Sequence, residues 1–243
     1  MARLFIVGDI HACPAELEAL LSALGLEAKD HLVFLGDYID RGPGAREVID
    51  LLLALRADQE CGLTFLRGNH EDMFLDFLGY GGGYGEAFLM NGGIQTLDSY
   101  GCWPDVDALP ARIPETHIAF LRGLGLSFSG REPDHDLGQD ILCVHAGIDP
   151  QRPLADQGVE HLLWIRHEFI DTPHSLPYTV VYGHTPQPEL RFHLPYKVGI
   201  DTGLVYGGRL SCLEWTAKTV YQVAKGSRQV RVVDVGRQWS RGG

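Results

Sequence analysis

The sequence has few of the features that would indicate a disulfide framework, a structural zinc site or a membrane anchor. Its five cysteines are an odd number and include no C-x-x-C pair, which argues against the first two. No stretch approaches the apolar length of a transmembrane helix. The apolar run near the N-terminus reaches Asp9 too soon to form a signal peptide. We therefore expect a cytoplasmic protein.

The sequence is also poor in positive charge, with 20 Lys and Arg residues against 32 Asp and Glu residues and a net charge of −12. An acidic chain repels nucleic acid and anionic membranes at long range, so we expect neither as a partner. An anionic substrate would need local positive charge, from metal ions or a few arginines. The 243 residues suffice for one large domain, and we predict a single domain over 1–239 with a tail at 240–243.

The first half of the chain repeats a strand, a short polar loop and a helix three times. The predicted strands cover residues 3–7, 31–35 and 63–67, and this repetition predicts parallel strands. A glycine-rich stretch at 79–85 then begins a predicted helical and loop insertion over 79–125. The second half is β-rich, with a helix predicted over 159–170 and a last strand over 228–235. We therefore expect an α/β (α+β) protein.

Polar side chains follow five of the predicted strands. A single histidine at a strand end is ordinarily a structural residue bonded to a backbone carbonyl. So many imidazoles and carboxylates at one sheet edge would be costly to bury without ions between them. The side chains at these five strand ends are Asp9 and His11, then Asp37, Asp40 and Arg41, then Asn69 and His70, then His145, and last His184.

The chemistry of these groups indicates a metal centre. Imidazole, carboxylate and amide oxygen without thiolate suit Mn, Fe or Zn. The donors exceed what one ion needs, and two ions about 3.5–4 Å apart can activate water and clamp a phosphoryl group. Asp37 lies at the middle of the set and suits a bridging role. We expect Asn69 and His70 on an extended segment, where their side chains would point in opposite directions.

The five blocks resemble, in order, the signature blocks of the metallophosphoesterases. They are most similar to the PPP-type serine/threonine protein phosphatases of the bacterial and bacteriophage lambda type. The resemblance implies a central β-sandwich of two mixed sheets flanked by helices. The blocks are Gly8-Asp9-Ile10-His11, Gly36-Asp37-Tyr38-Ile39-Asp40-Arg41-Gly42, Gly68-Asn69-His70-Glu71, His145-Ala146-Gly147 and Gly183-His184-Thr185.

The resemblance also implies a role for each residue and two divalent ions, Mn first, with Fe and Zn as alternatives. His70 would be the general acid, held by Asp40, and a hydroxide bridging the metals would attack phosphorus directly. Tyr206 lies near an active-site aromatic of some relatives. The implied metal ligands are Asp9 and His11 for the first ion, Asn69, His145 and His184 for the second, and Asp37 for both; the implied phosphate-binding residues are Arg41, Arg166 and Asn69.

The implied function is removal of phosphate from phosphoserine or phosphothreonine in proteins or from small phosphoesters, with phosphotyrosine left open. The alternative is a symmetrical dinucleoside polyphosphate hydrolase, and a more remote one is a non-catalytic metal-binding module. Asp40-Arg41-Gly42 and Glu71 favour the protein phosphatase, because the polyphosphatases typically have Asp after the His. The remaining histidines are expected in solvent: His31, His117, His135, His161, His167, His174 and His193.

Overall fold

The computed structural model of the chain describes residues 2–58, 60–130 and 139–241. The β-strands are β1 (Leu4–Val7), β2 (His31–Phe34), β3 (Gly62–Phe65), β4 (Ser127–Gly130), β5 (Asp140–Val144), β6 (Tyr178–Tyr182), β7 (Arg191–His193), β8 (Lys197–Gly199), β9 (Arg209–Glu214), β10 (Thr219–Ala224) and β11 (Val230–Asp234). The α-helices are α1 (Pro14–Leu24), α2 (Ala45–Asp58), α3 (Asn69–Phe77), α4 (Gly93–Ser99), α5 (Leu109–Arg112), α6 (Glu115–Arg122), α7 (Val159–Trp164) and α8 (His167–Ile170).

The strands form two mixed sheets, which confirms the predicted fold class. The first sheet has the order β11-β10-β9-β1-β2-β3, and the second has the order β4-β5-β6-β8-β7. Strands β1, β2 and β3 are parallel to one another, as their repetition with helices predicted. Strands β5, β6 and β8 are also parallel, and β9 pairs antiparallel with β1.

The two sheets pack face to face, and the alternation of side chains along β1 explains why. Phe5 and Val7 belong to a hydrophobic cluster with the helices on the outer face of the first sheet. Ile6 points the other way and packs with Val33 and with Val181 of the second sheet. Successive side chains of a strand point to opposite faces, so one strand serves both layers. A third cluster joins the second sheet to α7 and α8.

The carboxyl ends of strands from both sheets meet at one edge. Ile10 after β1 donates a backbone hydrogen bond to Asp37 after β2 at 3.0 Å, and Gly183 after β6 donates to His145 after β5 at 2.7 Å. Gly36, with φ of 109°, lies where a Cβ atom would collide with the backbone of Gly68. This edge is where an open α/β sheet ordinarily binds its ligands.

The structure differs from the sequence predictions in one helix, one strand and the burial of two histidines. The helix predicted over 159–170 is two short helices, because the backbone of Arg166 adopts φ of −128° and ψ of −101° between them. Strand β7 was missed, since its short Arg191–His193 segment lacks an apolar pattern. His117 and His174 are buried, at 2% and 5% exposure, because each ring has a hydrogen-bond partner inside.

The predicted insertion and tail are described in part. The regular structure between residues 79 and 125 is helical, and its apolar side chains join the cluster on the outer face of the first sheet. A 3-10 helix, Gly236–Arg241, reaches into the predicted tail, while residues 242 and 243 lie outside the described residues, as does His135. Within the described residues, no helix combines the length and the apolar character needed to span a membrane.

Candidate active site

The loops at this sheet edge hold an unusual number of residues in strained backbone conformations. Non-glycine residues rarely adopt positive φ, and such residues persist only where the surrounding structure fixes them, most often at functional sites. Five of the residues predicted from the sequence lie there: His11 at 45°, Asp37 at 53°, Asp40 at 66°, Arg41 at 68° and His184 at 64°. The surrounding structure therefore holds these five residues in strained backbone conformations at the site.

Asp37 lies at the centre of the site. Its Oδ2 atom is 3.5 Å from His11 Nε2, and its Oδ1 atom is 3.4 Å from His145 Nε2. Two sets of side chains have metal-ligating atoms within 4.8 Å of one another, one with His11 and His70 and one with His145 and His184. Asp37 belongs to both sets, with Oδ2 toward His11 and Oδ1 toward His145.

The imidazoles are oriented by backbone carbonyls. His11 Nδ1 is 3.1 Å from the carbonyl of Ile39, and His145 Nδ1 is 3.0 Å from that of Leu35. A carbonyl only accepts, so each Nδ1 carries the proton and each Nε2 lone pair faces the centre. Burial lowers the pKa of His11 to about 3 and also lowers that of His145, which keeps both rings in the neutral form that metals require.

Asn69 completes the second set. Its Oδ1 atom lies 3.0 Å from His145 Nε2 and 2.9 Å from His184 Nδ1. The predicted extended segment at this point is wrong, because α3 begins at Asn69 itself. Neighbouring side chains on a helix, like those on a strand, point in different directions. The side chain of His70 is therefore still expected to point away from His145 and His184, which Asn69 contacts.

Asp9 lies beside the two sets rather than within either. The backbone N–H of His184 donates to its Oδ2 at 3.0 Å. Burial and the negative charges of Asp201 and Asp37 raise the pKa of Asp9 well above its ordinary value. Asp201 was not among the predicted site residues, although it follows β8 just as Asp9 follows β1. Three buried carboxylates this close together fit a site that holds cations.

His70 and Asp40 form a buried pair. Asp40 Oδ2 lies 2.7 Å from His70 Nδ1, and both side chains are fully buried. Among the described residues His70 Nε2 has no hydrogen-bond partner, and it lies 4.0 Å from Asp37 Oδ2. Burial disfavours the charged ring, but the carboxylates of Asp37 and Asp40 outweigh it and raise the pKa of His70. The ring is thus held by Asp40 with its Nε2 directed into the site.

The two predicted arginines lie at the rim of the site. Arg41 Nη1 is 2.6 Å from His11 Nε2, and its guanidinium lies 5.5 Å from the ring centroid of Tyr206, which is 65% exposed. Arg166 is exposed and donates to Thr185 Oγ1 at 3.4 Å, one residue after His184. A cavity of about 870 Å³ begins beside Arg166 and Trp164. Of the three predicted phosphate-binding residues, Arg166 lines this cavity, while Arg41 and Asn69 do not.

Glu71 has a role that the sequence did not reveal. Its carboxylate is fully buried and accepts backbone N–H bonds from Asp37 at 2.9 Å, Tyr38 at 2.8 Å, Ile39 at 3.3 Å and Gly68 at 2.9 Å. Burial and the charge of Asp37 raise its pKa to about 7. One side chain thus holds together the loops after β2 and β3. Its position directly after His70 was visible in the sequence, but these four bonds were not.

Replacement of Glu71 by glutamine is expected to destabilise the protein. An amide nitrogen cannot accept a hydrogen bond, so one pair of buried N–H groups would lose its partner at a cost of about 3 kcal/mol. Urea denaturation followed by circular dichroism measures this change in the free energy of unfolding. The exposed Glu86→Gln variant is the control and should change stability by less than about 0.5 kcal/mol. Equal stability of the two variants would contradict the role of Glu71 in holding together the loops after β2 and β3.

Comparison with known proteins places the chain in a family. The model of the calcineurin-like phosphoesterases matches residues 2–215. The chain belongs to this family. It is therefore a metallophosphoesterase, a metal-binding hydrolase of phosphoesters. The two sets of candidate metal-ligating side chains around Asp37 agree with that class.

Relatives within the family are named for different activities. An asymmetrical bis(5'-nucleosyl)-tetraphosphatase of Bacillus mycoides is 28% identical over 233 residues, which cover 86% of this chain and 89% of that protein. A Caenorhabditis elegans protein named "putative serine/threonine-protein phosphatase" is 30% identical over 150 residues, or 62% of this chain. The match covers only 34% of the nematode protein.

Solved structures agree with the fold. The crystal structure described as "a putative diadenosine tetraphosphatase" has a TM-score of 0.67 and 28% identity, covering 92% of this chain and 94% of that one. A cold-active protein tyrosine phosphatase has a TM-score of 0.63 at 18% identity, a likeness of fold alone. These neighbours share the architecture and leave the substrate of this chain open.

Proposed function

We propose that this metallophosphoesterase uses two divalent ions to hydrolyse dinucleoside tetraphosphates, and that Mn²⁺ is the preferred metal. The observation that carries the two-ion centre is the sharing of Asp37 between two sets of ligand atoms. The ligands of the first ion would be Asp9, His11 and Asp37. Those of the second would be Asp37, Asn69, His145 and His184. Bound divalent ions at such a site activate water and neutralise charge on the phosphoryl group.

The chain's own residues would supply the remaining chemistry. Arg41 and Arg166 would bind the non-bridging phosphate oxygens, because a guanidinium offers parallel N–H donors that match them. His70 would donate its Nε2 proton to the oxygen of the leaving group. Asp40 would hold the ring in place through Nδ1 and stabilise its charged form, as their 2.7 Å separation supports.

The choice of substrate rests on the extent of the similarities. The tetraphosphatase relative matches over 89% of its own length, whereas the nematode phosphatase matches over 34% of its length. Cleavage would be asymmetrical, as that relative's name states, whereas the alternative considered from the sequence was a symmetrical hydrolase. Serine/threonine phosphoproteins remain a second candidate, favoured by the Asp40-Arg41-Gly42 block and by Glu71 after His70.

Product analysis with purified protein and Mn²⁺ tests the proposal. Diadenosine tetraphosphate should yield ATP and AMP, while symmetrical cleavage would yield ADP alone. A phosphoserine peptide should release phosphate at least tenfold more slowly, in kcat/KM, than the tetraphosphate is cleaved. A higher kcat/KM for the phosphoserine peptide than for the tetraphosphate would overturn the proposed substrate and favour phosphoproteins instead. If the protein hydrolysed none of the three compounds, namely the tetraphosphate, the phosphopeptide and a p-nitrophenyl phosphate control, the proposed function as a whole would be contradicted.

A further inference from the structure

The second oxygen of Asp40 has a partner that lies 56 residues further along the chain. While Asp40 Oδ2 faces His70, its Oδ1 accepts a hydrogen bond from the Thr96 hydroxyl at 2.6 Å. The backbone N–H of Asp40 donates to the same hydroxyl oxygen at 3.0 Å. All three side chains are fully buried.

These two bonds fix the direction of the Thr96 proton. A hydroxyl has one proton to donate and lone pairs that accept. Since the Asp40 N–H occupies a lone pair, the proton of Thr96 is left to point at Oδ1. The carboxylate is thereby held from one side by Thr96 and from the other by His70. Its backbone, at φ of 66°, is strained and depends on such contacts to keep its conformation.

Helix α4, which carries Thr96, is itself held in place from several directions. The Tyr100 hydroxyl at its end lies 2.8 Å from His117 Nδ1, and His117 Nε2 lies 3.0 Å from Asp50 Oδ1 on α2. Just before α4, the carbonyl of Gly92 accepts the backbone N–H of Arg41 at 3.1 Å. The helical segment after the glycine-rich stretch is thus joined to the loop of Asp40 and Arg41.

We infer that Thr96 is a positioning residue that aligns the general acid His70 by fixing the carboxylate of Asp40. The inference rests on the proposed function, because it requires His70 to protonate a leaving group. Without the Thr96 hydroxyl, Oδ1 would be buried without this partner and Asp40 would be free to rotate away from His70 Nδ1. Small displacements of a catalytic group lower the rate by up to about 100-fold.

The dependence of the rate on the leaving group separates positioning from a general structural role. A nitrophenolate departs as an anion and needs little protonation, whereas an alkoxide needs a proton. Thr96→Val should therefore lower kcat at least tenfold on an alkyl phosphate and less than threefold on 2,4-dinitrophenyl phosphate, with KM unchanged on both. Thr96→Ser retains a hydroxyl and should restore kcat on the alkyl phosphate to within threefold of the original protein.

A matched control is available in strand β3. Thr64→Val also removes a hydroxyl bonded to a histidine, since Thr64 Oγ1 lies 2.9 Å from His31 Nε2, but this pair is outside the site. The control should leave both rates unchanged. Equal losses on the two substrates, or no loss on the alkyl phosphate, would overturn the role of Thr96. If the unaltered protein cleaves neither diadenosine tetraphosphate nor 2,4-dinitrophenyl phosphate, the proposed function itself fails, which is a different result.

Discussion

Replacement of His70 by asparagine is expected to lower kcat on an alkyl phosphate by about 10²–10⁴-fold, the usual contribution of general acid catalysis. The reason lies in the geometry of the ring. Its Nδ1 atom is bonded to Asp40, so only Nε2 can deliver a proton to substrate. In the part of the chain that the structure describes, Nε2 has no hydrogen-bond partner, and it faces the Asp37 carboxylate. Asparagine keeps a donor at similar volume but cannot transfer its proton.

Steady-state kinetics at saturating Mn²⁺ measures this loss, with circular dichroism to establish that the variant folds. The loss should shrink on 2,4-dinitrophenyl phosphate, whose leaving group needs little protonation. His31→Asn is the control, because the ring of this half-buried histidine at the start of β2 hydrogen-bonds to Thr64, outside the site. A loss of less than tenfold in kcat for His70→Asn would contradict the assigned acid.

Replacement of Asp37 by asparagine should abolish tight binding at both metal positions. Asp37 is the one carboxylate shared by the two ligand sets within the described residues. Even groups outside the ligand set cost about 10–100-fold in metal affinity when they are replaced, so we expect a loss of more than about 100-fold here. Hydrolysis should fall to background, since both proposed ions would lose an anionic ligand.

Thermal unfolding with and without Mn²⁺ provides the measurement. An ion at 100 times its dissociation constant stabilises the native state by about 2.7 kcal/mol, and Asp37→Asn should lose that gain. The exposed Asp140→Asn variant lies at the opposite end of β5 from His145 and should keep it. If Asp37→Asn retained the stabilisation by Mn²⁺, Asp37 would not be a shared ligand.

The parts of the fold that follow from local pattern were predictable. Parallel β1, β2 and β3 follow from the repeated strand, loop and helix, and their convergent ends follow from the parallel arrangement. The strand-end rule therefore brought Asp9, Asp37 and Asn69 to one edge before the structure was known. The same rule applied after β8 would have added Asp201, whose charge raises the pKa of Asp9.

The contacts that support the site depend on the tertiary fold and could not be predicted from local sequence patterns. Thr96 is 56 residues from Asp40, and its helix follows a glycine-rich stretch with no catalytic motif. His117 was expected in solvent because an isolated histidine gives no sign that Tyr100 and Asp50 will occupy both of its nitrogens. The break at Arg166 interrupts a run of helix-forming residues and turns its guanidinium to the rim.

The central claim is that these strand ends form a two-ion centre for phosphoester hydrolysis. Calorimetric titration of metal-stripped protein with Mn²⁺, with the rate of p-nitrophenyl phosphate hydrolysis measured at each step, tests it most directly. We predict two ions bound per chain and a rate that rises from background as the second position fills. Binding of one ion or none, or a rate that does not depend on added Mn²⁺, would contradict the account.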